Sequence, residues 1–481
     1  GAEGTNIINN RVAAFIAGSS VATAPAIAFT YTSQDQPTEL LNGDKVQVSF
    51  GSGHLVFQYI GDDRLDPSNT LDPVNLAAEN FADPTQWLLL SPAYDLVVEA
   101  LSTSSIDALV GAVSAAVGGG LVGGAGSIGV SLARNLIGFD SVDDTSGGGN
   151  QVLAYIQNSN VASSGAIRVT ASATDTIEKA VSFSGSAAIS AGVGAVSLAG
   201  AGAEATNHIS TTVHAYSADS NASALGDIQV EALSDVQIKR TDAIGAALSV
   251  AIGIGGAASV AVSIVDNLIA NDVQAFMSST AAHTVMSGGN LSVVADVQQA
   301  RIADVGAITA SVSAGLFAAS GGGIDIDNVV DNTVNAYISG ASLAVMALGD
   351  VMVSASEEAH IEADATDVTI SISLGAALGV ALLDNRIASD ITASIVGAQV
   401  GSTNTSILAD SIADISKTST TSVSASLVAA TGNRAGADIA TLVHAFTHSA
   451  TLMSTGEVVI RVARPTLHGH PPMVGPSAPW R

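Results

Sequence analysis

Cysteine is missing from this chain of 481 residues. Its absence excludes disulfide bonds, thiolate ligands for zinc and cysteine nucleophiles. Any structural cross-link, metal site or covalent chemistry must therefore use other side chains.

Large rings and charged groups are also scarce. Aromatic residues make up 4% of the chain although hydrophobic residues make up 47%, so the apolar content is mostly Ala, Val, Ile and Leu. The chain also contains 48 glycines. This composition predicts a thin core with closely approaching backbones rather than one filled by rings. Charged residues make up only 12%, against about 25% in an ordinary globular protein.

Basic residues are few compared with acidic ones. Lys and Arg number 15 against 43 Asp and Glu, which gives a formal net charge of −28. Such a charge repels nucleic acid and anionic membrane surfaces, so we expect no nucleic-acid partner.

The familiar catalytic sequence motifs are absent as well. The chain contains no P-loop, Rossmann glycine pattern, HExxH motif or nucleophile elbow. A solenoid lyase or hydrolase would need carboxylates or basic groups clustered on one face. Arg301 is the only basic residue between Asp242 and Asn385. We therefore expect no enzymatic activity.

One uncharged run must be weighed as a membrane span. The run from Ala108 to Ala133 contains no charged residue and exceeds the 18 or so residues that a spanning helix needs. A similar run starts at Ile244, in register with the repeats described below, and neither is flanked by Lys/Arg clusters. Glycine and β-branched residues are dense in both. These features favour buried small-residue strands, and we expect no membrane insertion.

What the chain does contain is a repeat. The phrase Asn-x-(Ile/Val)-x-x-x-(Val/Ile)-x-Ala-(Tyr/Phe) recurs along it. Its copies begin at Asn6, Asn135, Asn207, Asn267, Asn328 and Asn385, and a last copy has Ala437 in place of the Asn. The copy from Asn135 is interrupted before Val152, and Ser394 replaces the aromatic in the copy from Asn385. From Val152 the equivalent Val/Ile positions lie 61, 60, 61, 57 and 52 residues apart.

A second phrase, Gly-x-(Ile/Leu/Val)-x-Val-x-Ala, follows most copies, for example GDIQVEA from Gly226. Both phrases alternate with period two, as strands do, and no helical period separates them. The sequence therefore predicts an all-β fold, a parallel β-solenoid-like array of about 60-residue repeats. One repeat could form one large coil or two to three ordinary coils.

The recurrent Asn has a structural interpretation in such an array. Equivalent side chains stack at roughly 4.8 Å, so each amide can hydrogen-bond to the amides above and below it. We expect a structural ladder of Asn6, Asn135, Asn207, Asn267, Asn328 and Asn385, helped by the tolerance of Asn for left-handed turns. The alternative is a ligand site, because Asp266, Asp327 and Asp384 each precede one of these Asn residues.

Proline divides the chain into segments. Six of the eleven prolines lie between Pro25 and Pro92 and five lie from Pro465 onward, while the repeats between contain none. We divide the chain into a partial first repeat (1–24), an inserted β-module (25–91), the repeat array (92–464) and a Pro-rich tail (465–481) that we expect to be disordered or an artefact of the sequence. Gly1 lies inside a repeat, so we expect a segment of a longer protein.

Two candidate binding sites remain. The inserted module is rich in aromatics, and we expect these rings to form its core; the functional alternative is a glycan-stacking face formed by Tyr59 and Trp87. Asp325, Asp327 and Asp331 supply hard oxygen atoms suited to Ca²⁺. Their spacing does not match an EF-hand, and solvated carboxylates at strand ends are the plainer interpretation. Ca²⁺ is therefore the only cofactor that the sequence suggests.

These phrases resemble the repeats of giant bacterial secreted adhesins, the filamentous-haemagglutinin-like or β-strand repeat surface proteins. The likeness rests on NxVxAY, GDIxVxA and the Ala/Gly/Ser-rich stretches that follow. It implies a structural segment of an extracellular or cell-surface fibre, acting as a rigid spacer and self-associating or pairing with neighbouring repeats. The alternative function is a glycan-binding surface protein that uses the 25–91 insertion.

Overall fold

Each repeat forms one turn of a parallel solenoid. The structure, a computed structural model, describes residues 1–23, 27–50, 53–64, 73–90, 94–142, 144 and 147–463. Asn207 pairs in parallel with Asn267, and Asn267 with Asn328, so the chain returns to the same place after one repeat. The predicted all-β parallel solenoid is confirmed, and the open question of coil size is answered by one large coil per repeat.

The strands of the first half of the chain are β1 (Ala2–Ile8), β2 (Arg11–Ala17), β3 (Ser20–Thr23), β4 (Tyr31–Thr32), β5 (Lys45–Phe50), β6 (Gly53–Tyr59), β7 (Trp87–Leu89), β8 (Leu96–Gly119), β9 (Gly124–Ile137), β10 (Asn150–Gln157), β11 (Asn160–Ser163), β12 (Ile167–Ala191), β13 (Ala195–Ile209), β14 (Thr211–Ala218) and β15 (Asn221–Ala224). One short 3₁₀ helix, Leu76–Ala78, precedes β7.

The second half contains β16 (Ile228–Ile238), β17 (Thr241–Ile252), β18 (Gly255–Ile269), β19 (Asp272–Ser278), β20 (His283–Ser287), β21 (Leu291–Val330), β22 (Thr333–Ser339), β23 (Leu343–Ala347), β24 (Val351–Ile387), β25 (Asp390–Val396), β26 (Gln399–Ser402), β27 (Thr405–Ala425), β28 (Val428–Ile439), β29 (Leu442–His448), β30 (Thr451–Ser454) and β31 (Val458–Ala463).

Three parallel sheets run along the solenoid axis. The side sheet has the order β2-β10-β14-β19-β22-β25-β29, and the corner sheet β3-β11-β15-β20-β23-β26-β30. The long sheet contains the remaining strands of the array, and its later members β21 and β24 cover the whole outward and return path of a coil. Equivalent strands of successive coils are neighbours in every sheet.

Residues 211–269 show the path of one coil. β14 and β15 form two sides of a closed base, and β16 forms a third. β17 then leaves the base, the chain turns, and β18 comes back beside it until its last residues close the base. Each coil therefore has a base and a projecting two-layer part, which we call the arm.

The arm consists of outbound and return segments from six coils. The outbound segments are 108–119, 180–191, 241–252, 305–314, 363–372 and 418–425; the return segments are 124–130, 195–202, 255–262, 317–323, 376–380 and 428–432.

Aliphatic side chains fill the base. The inward positions of the side sheet place one column of β-branched residues along the axis, all of them with no exposed surface: Val152, Val213, Val273, Val334 and Ile391. β-branched residues suit such a position because their restricted side chains pack well on a pleated surface. The base core is one continuous cluster along the coils.

The interior of the arm is filled by small residues. Ala188, Ala199, Ala201, Ala247 and Ala261 form a separate buried cluster there. Serines bond across the two layers, with Ser186 Oγ donating to the carbonyl oxygen of Ser127 at 2.7 Å. Small side chains let the two layers approach closely, as the composition predicted.

Register shifts separate base from arm. The pairing of β8 with β12 shifts between Ile177 and Lys179, and that of β21 with β24 shifts between Ile302 and Val305. An extra residue of this kind bends a strand and re-aims its side chains. These shifts mark the neck, where the core changes from aliphatic to small residues.

The uncharged run from Ala108 to Ala133 forms most of the first coil's arm. It is strand on both sides of its turn, and only alternate residues are buried. Val113 and Val117 are 77% and 83% exposed, so the expectation that these runs are buried was wrong for their outer faces. In the part of the chain that the structure describes, no helix is long and apolar enough to cross a membrane.

The inserted module lies between β3 and β8, at a corner that other coils cross with a short link such as residues 164–166. β4, β5, β6 and β7 form its four-stranded sheet. Its core contains Leu40, Val46, Tyr59, Leu76 and Trp87. The Pro-rich tail, 465–481, lies outside the described residues.

The close approach of the arm layers predicts a position-specific effect of side-chain volume. A Cβ at Gly129 would lie 2.5 Å from the carbonyl oxygen of Gly185 in the facing layer, whereas a Cβ at Gly126 meets nothing within 4 Å. We expect Gly129→Val to lower the free energy of unfolding by about 2–3 kcal/mol, because overpacking forces backbone shifts. Gly126→Val, on the same strand, is the control and should change it by less than about 0.5 kcal/mol. Urea unfolding followed by circular dichroism measures both, and equal effects would contradict a tightly packed arm.

Candidate functional site

The six Asn residues form one hydrogen-bonded column. Each side chain lies over its equivalent in the next coil, and Nδ2 of one donates to Oδ1 of the next at 2.7–2.8 Å from Asn6 through Asn135, Asn207, Asn267 and Asn328 to Asn385. At the far end Asn385 donates to Thr418 Oγ1 at 2.9 Å. From Asn135 onward the side chains are buried.

The column lies at the neck, between the outbound and return layers. Asn207 also donates to Thr241 Oγ1 at 2.9 Å, and Thr241 is the first residue of the outbound segment in its coil. The expected left-handed turn geometry is wrong, because all six Asn residues lie within strands and none has a positive φ. The amides satisfy one another because stacking brings them together, without any turn.

A second polar column lies at the next corner of the base. It runs through Asn10, Asn150, Thr211, Asn271, Asn332 and Ser389, linked mainly from backbone N–H to the next side-chain oxygen, for example Thr211 N to Asn271 Oδ1 at 2.8 Å. Sequence reasoning missed this column. The sequence does contain a pattern that marks this column: five of its six members lie four residues after an Asn of the first column.

Two buried carboxylates complete this corner. Thr211 Oγ1 donates to Asp175 at 2.6 Å, and Asn332 Nδ2 donates to Glu357 Oε1 at 2.7 Å. Ser389 Oγ also donates to the same Glu357 oxygen, at 2.9 Å. Burial raises the pKa of Asp175, and burial raises the pKa of Glu357 to about 7 despite these donors.

A third buried carboxylate lies inside the arm. Asp367 is fully buried, and Thr309 Oγ1 donates to it. Gly322 and Gly379 face it from the return layer, where a Cβ would come within 2.0 and 2.1 Å of its oxygens. Burial raises the pKa of Asp367. The glycines therefore make room for a side chain larger than its Ala and Ser neighbours.

The aromatic position of the repeat forms a stack on the outer face of the side sheet. Ring centroids are 4.7–5.1 Å apart and ring planes are within 8° of parallel along Phe15, Tyr155, Tyr216, Phe276 and Tyr337. The stack ends where Ser394 occupies the next position. Coil spacing imposes this geometry, since the rings repeat at the interval of the strands.

The three candidate calcium ligands are not brought together. Asp325 and Asp327 lie on the outer face of β21, whereas Asp331 lies in the corner after β21 ends. No group of three or more acidic, His or Cys side chains in the described ranges is placed to hold a metal ion. Asp327 instead stacks between Asp266 and Asp384, and its partial burial and these neighbouring charges raise its pKa.

The glycan-stacking hypothesis at Tyr59 and Trp87 was wrong. Their residues are 1% and 3% exposed, and the two rings contact each other at 5.1 Å between centroids. Tyr59 Oη donates to the carbonyl oxygen of Asp62 at 2.8 Å. A module this small uses its largest rings for its own core, so neither ring is free to stack on a sugar.

No protein-family model matches this chain, and neither a curated protein nor a solved structure matches it. The resemblance to secreted adhesins therefore rests on the repeat phrases, and function must be argued from the geometry above.

The Asn column predicts a stability effect in its middle. Asn267→Ala removes the acceptor of Asn207 and the donor to Asn328, and it leaves a cavity at the neck. We expect a loss of about 2–4 kcal/mol in the free energy of unfolding, measured by urea denaturation. Asn335→Ala, at a half-buried position on the outer side of the side sheet in a later coil, is the control and should cost less than about 0.5 kcal/mol. Similar losses for both variants would show that the column adds nothing.

The raised pKa of Glu357 predicts that the stability of the fold depends on pH. Its pKa is about 7 in the fold against 4.5 for the free side chain, so the folded state holds its proton more tightly. Its stabilising contribution is complete below about pH 4.5 and is lost as pH rises through about 7, a change of about 3 kcal/mol.

Glu357→Gln keeps an acceptor for Asn332 but cannot ionise. Thermal unfolding from pH 4 to 9 should show a smaller fall for this variant and greater stability than the native chain at pH 8. The solvent-exposed neighbour Glu358, changed to Gln, is the control and should keep the native profile. An unchanged profile in the Glu357 variant would contradict the assignment.

Proposed function

We propose that this chain is a structural repeat segment of a large extracellular or cell-surface fibre. The observation that carries the proposal is that equivalent residues of successive coils pair with one another along the array. The Asn position alone can be followed through seven successive coils, from Asn6 to Ala437, by parallel backbone pairing. The polar side chains of the neck and corner are used to join coil to coil.

Stacked columns make such an array stiff. Successive coils are joined by three sheets, and most of them also by the two polar columns and the ring stack, so bending must disturb several sets of contacts together. The contacts of one coil repeat in the next. These features support a structural role for a rigid array rather than a role that needs conformational change.

The coil size limits the kind of spacer this chain can be. One coil of about 60 residues advances the array by only about 4.8 Å, so seven coils extend about 34 Å. A long spacer of this type needs many coils. Each coil adds width to the array rather than length, because its residues form the base and the arm.

Open strand edges support association with neighbouring repeats. Within the described residues, β8 pairs only with β12, and β28 pairs only with β24. In that part of the chain the other edge of each strand has no partner, and an open edge templates a further strand. A coil of the same kind, from this chain's neighbour in a fibre, would satisfy them in register.

No observation favours the alternative of a glycan-binding protein that uses the insertion. Its two designated rings are internal to the module, and we do not propose another recognition surface there. The proposal assigns no enzymatic activity.

Immunogold electron microscopy tests the proposal. Antibodies raised against the full chain should label intact cells that produce it, at the surface or along filaments outside the envelope. Antibody absorbed beforehand with the purified chain is the control and should give no label. Label confined to the interior of sectioned cells would overturn the proposal.

A further inference from the structure

The outer side of the outbound layer is a broad apolar surface. We call it the outbound face; it consists of the outward residues of β8, β12, β17, β21, β24 and β27 in the arm. Large side chains on it are well exposed: Leu109, Val113, Val117, Phe183, Ile189, Leu248, Ile252, Ile308, Ile372 and Val423. Exposed apolar surface on this scale marks an interaction site.

Beyond its boundary with the neck, the outbound face carries no charged side chain among the described residues. Its columns from Gly111 outward contain apolar residues or Gly in every coil, with Thr366 and Thr421 as the two polar exceptions. The charges begin one position closer to the neck, at Asp242 and Asp364. The net charge of −28 therefore lies away from this face.

The outbound face is not flat. A depression of about 430 Å³ has a floor of small residues formed by Gly185, Ala246 and Ala310. Phe183 and Leu248 stand beside it and are 38% and 40% exposed. A knob and a hollow next to each other form a self-complementary pair, because a two-fold axis places the knob of each copy over the hollow of the other.

The area is sufficient for a stable pair. Six strands about 4.8 Å apart, each contributing about ten residues of about 3.3 Å, give a face of about 950 Å². A specific interface of standard size uses roughly 800 Å² from each partner.

A second copy fits this surface better than a lipid bilayer does. Both copies carry rows of side chains at the same spacing of about 4.8 Å, so the rows of one copy can lie between those of the other. A bilayer has no such spacing and offers no fixed knob for the hollow.

We propose that two copies of this chain pair through their outbound faces, with the Phe183 and Leu248 side chains of each copy seated over the Gly185–Ala246–Ala310 hollow of the other. This pairing is lateral, unlike the end-on pairing of open edges. It depends only on the arm and stands independently of any cell-surface role.

Sedimentation of the full chain tests the pairing. We expect a dimer whose dissociation constant falls as NaCl is raised, because salt screens the repulsion between two acidic molecules and leaves apolar contact intact. Leu248→Asp should raise that constant at least 100-fold. Leu198→Asp, which alters an exposed leucine on the opposite side of the arm, is the matched control and should leave it unchanged. A monomer at all concentrations, or loss of the dimer only with Leu198→Asp, would overturn the proposal.

Cross-linking gives a readout that does not depend on a destabilising change. Because the chain contains no cysteine, Ala246→Cys introduces a single thiol in the hollow, and Ala258→Cys introduces one on the other side of the arm. A short bis-maleimide should join two copies of the first variant and not of the second. Flotation with phosphatidylcholine vesicles in place of dimer formation would assign the face to lipid and reject the second copy.

Discussion

Parallel pairing of each coil with the next is the constraint on which the rest of the structure depends. It places every side chain about 4.8 Å from its own equivalent, so a position is stable only if its residue tolerates a copy of itself. Amides tolerate this by alternating donor and acceptor, as from Asn135 to Asn385. Rings tolerate it by stacking, and β-branched residues by packing. Carboxylates do not: at Asp327, partial burial together with the neighbouring charges of Asp266 and Asp384 raises the pKa.

The neck allows two different cores to exist in one coil. The base packs Val and Ile, while the arm packs Ala, Ser and Gly between two layers. The small-residue core alone buries little apolar area, so hydrophobic burial contributes less there than in the base. Hydrogen bonds therefore contribute a larger share of the stability at the neck. There Asn207 bonds to the next Asn and also to Thr241 of the facing layer.

The arm also explains how a chain with an apolar fraction of 47% can have a thin core. Many of its large apolar side chains lie on the outside, such as Val117 and Leu121 at 83% and 85% exposed. The charged side chains lie mainly at the base and the neck. The molecule is thus amphipathic at the scale of the whole coil, with an acidic base and an apolar arm.

The amino-acid sequence by itself determined the strand class, the repeat length and the equivalence of the Asn and aromatic positions, because these depend on period and on residue identity. It also marked the insertion, through proline and aromatics. Only the tertiary structure decided that one repeat is one coil, because a 60-residue period is compatible with several coils until the pairing partner of Asn207 is known. Only the tertiary structure decided the burial of Tyr59 and Trp87, because it depends on the closure of the module. For Val113, the alternating pattern shows that the side chain lies on one face of a strand, and only the structure shows that this face is exposed to solvent. A sequence records which residues recur; which surfaces they cover is decided when the layers come into contact.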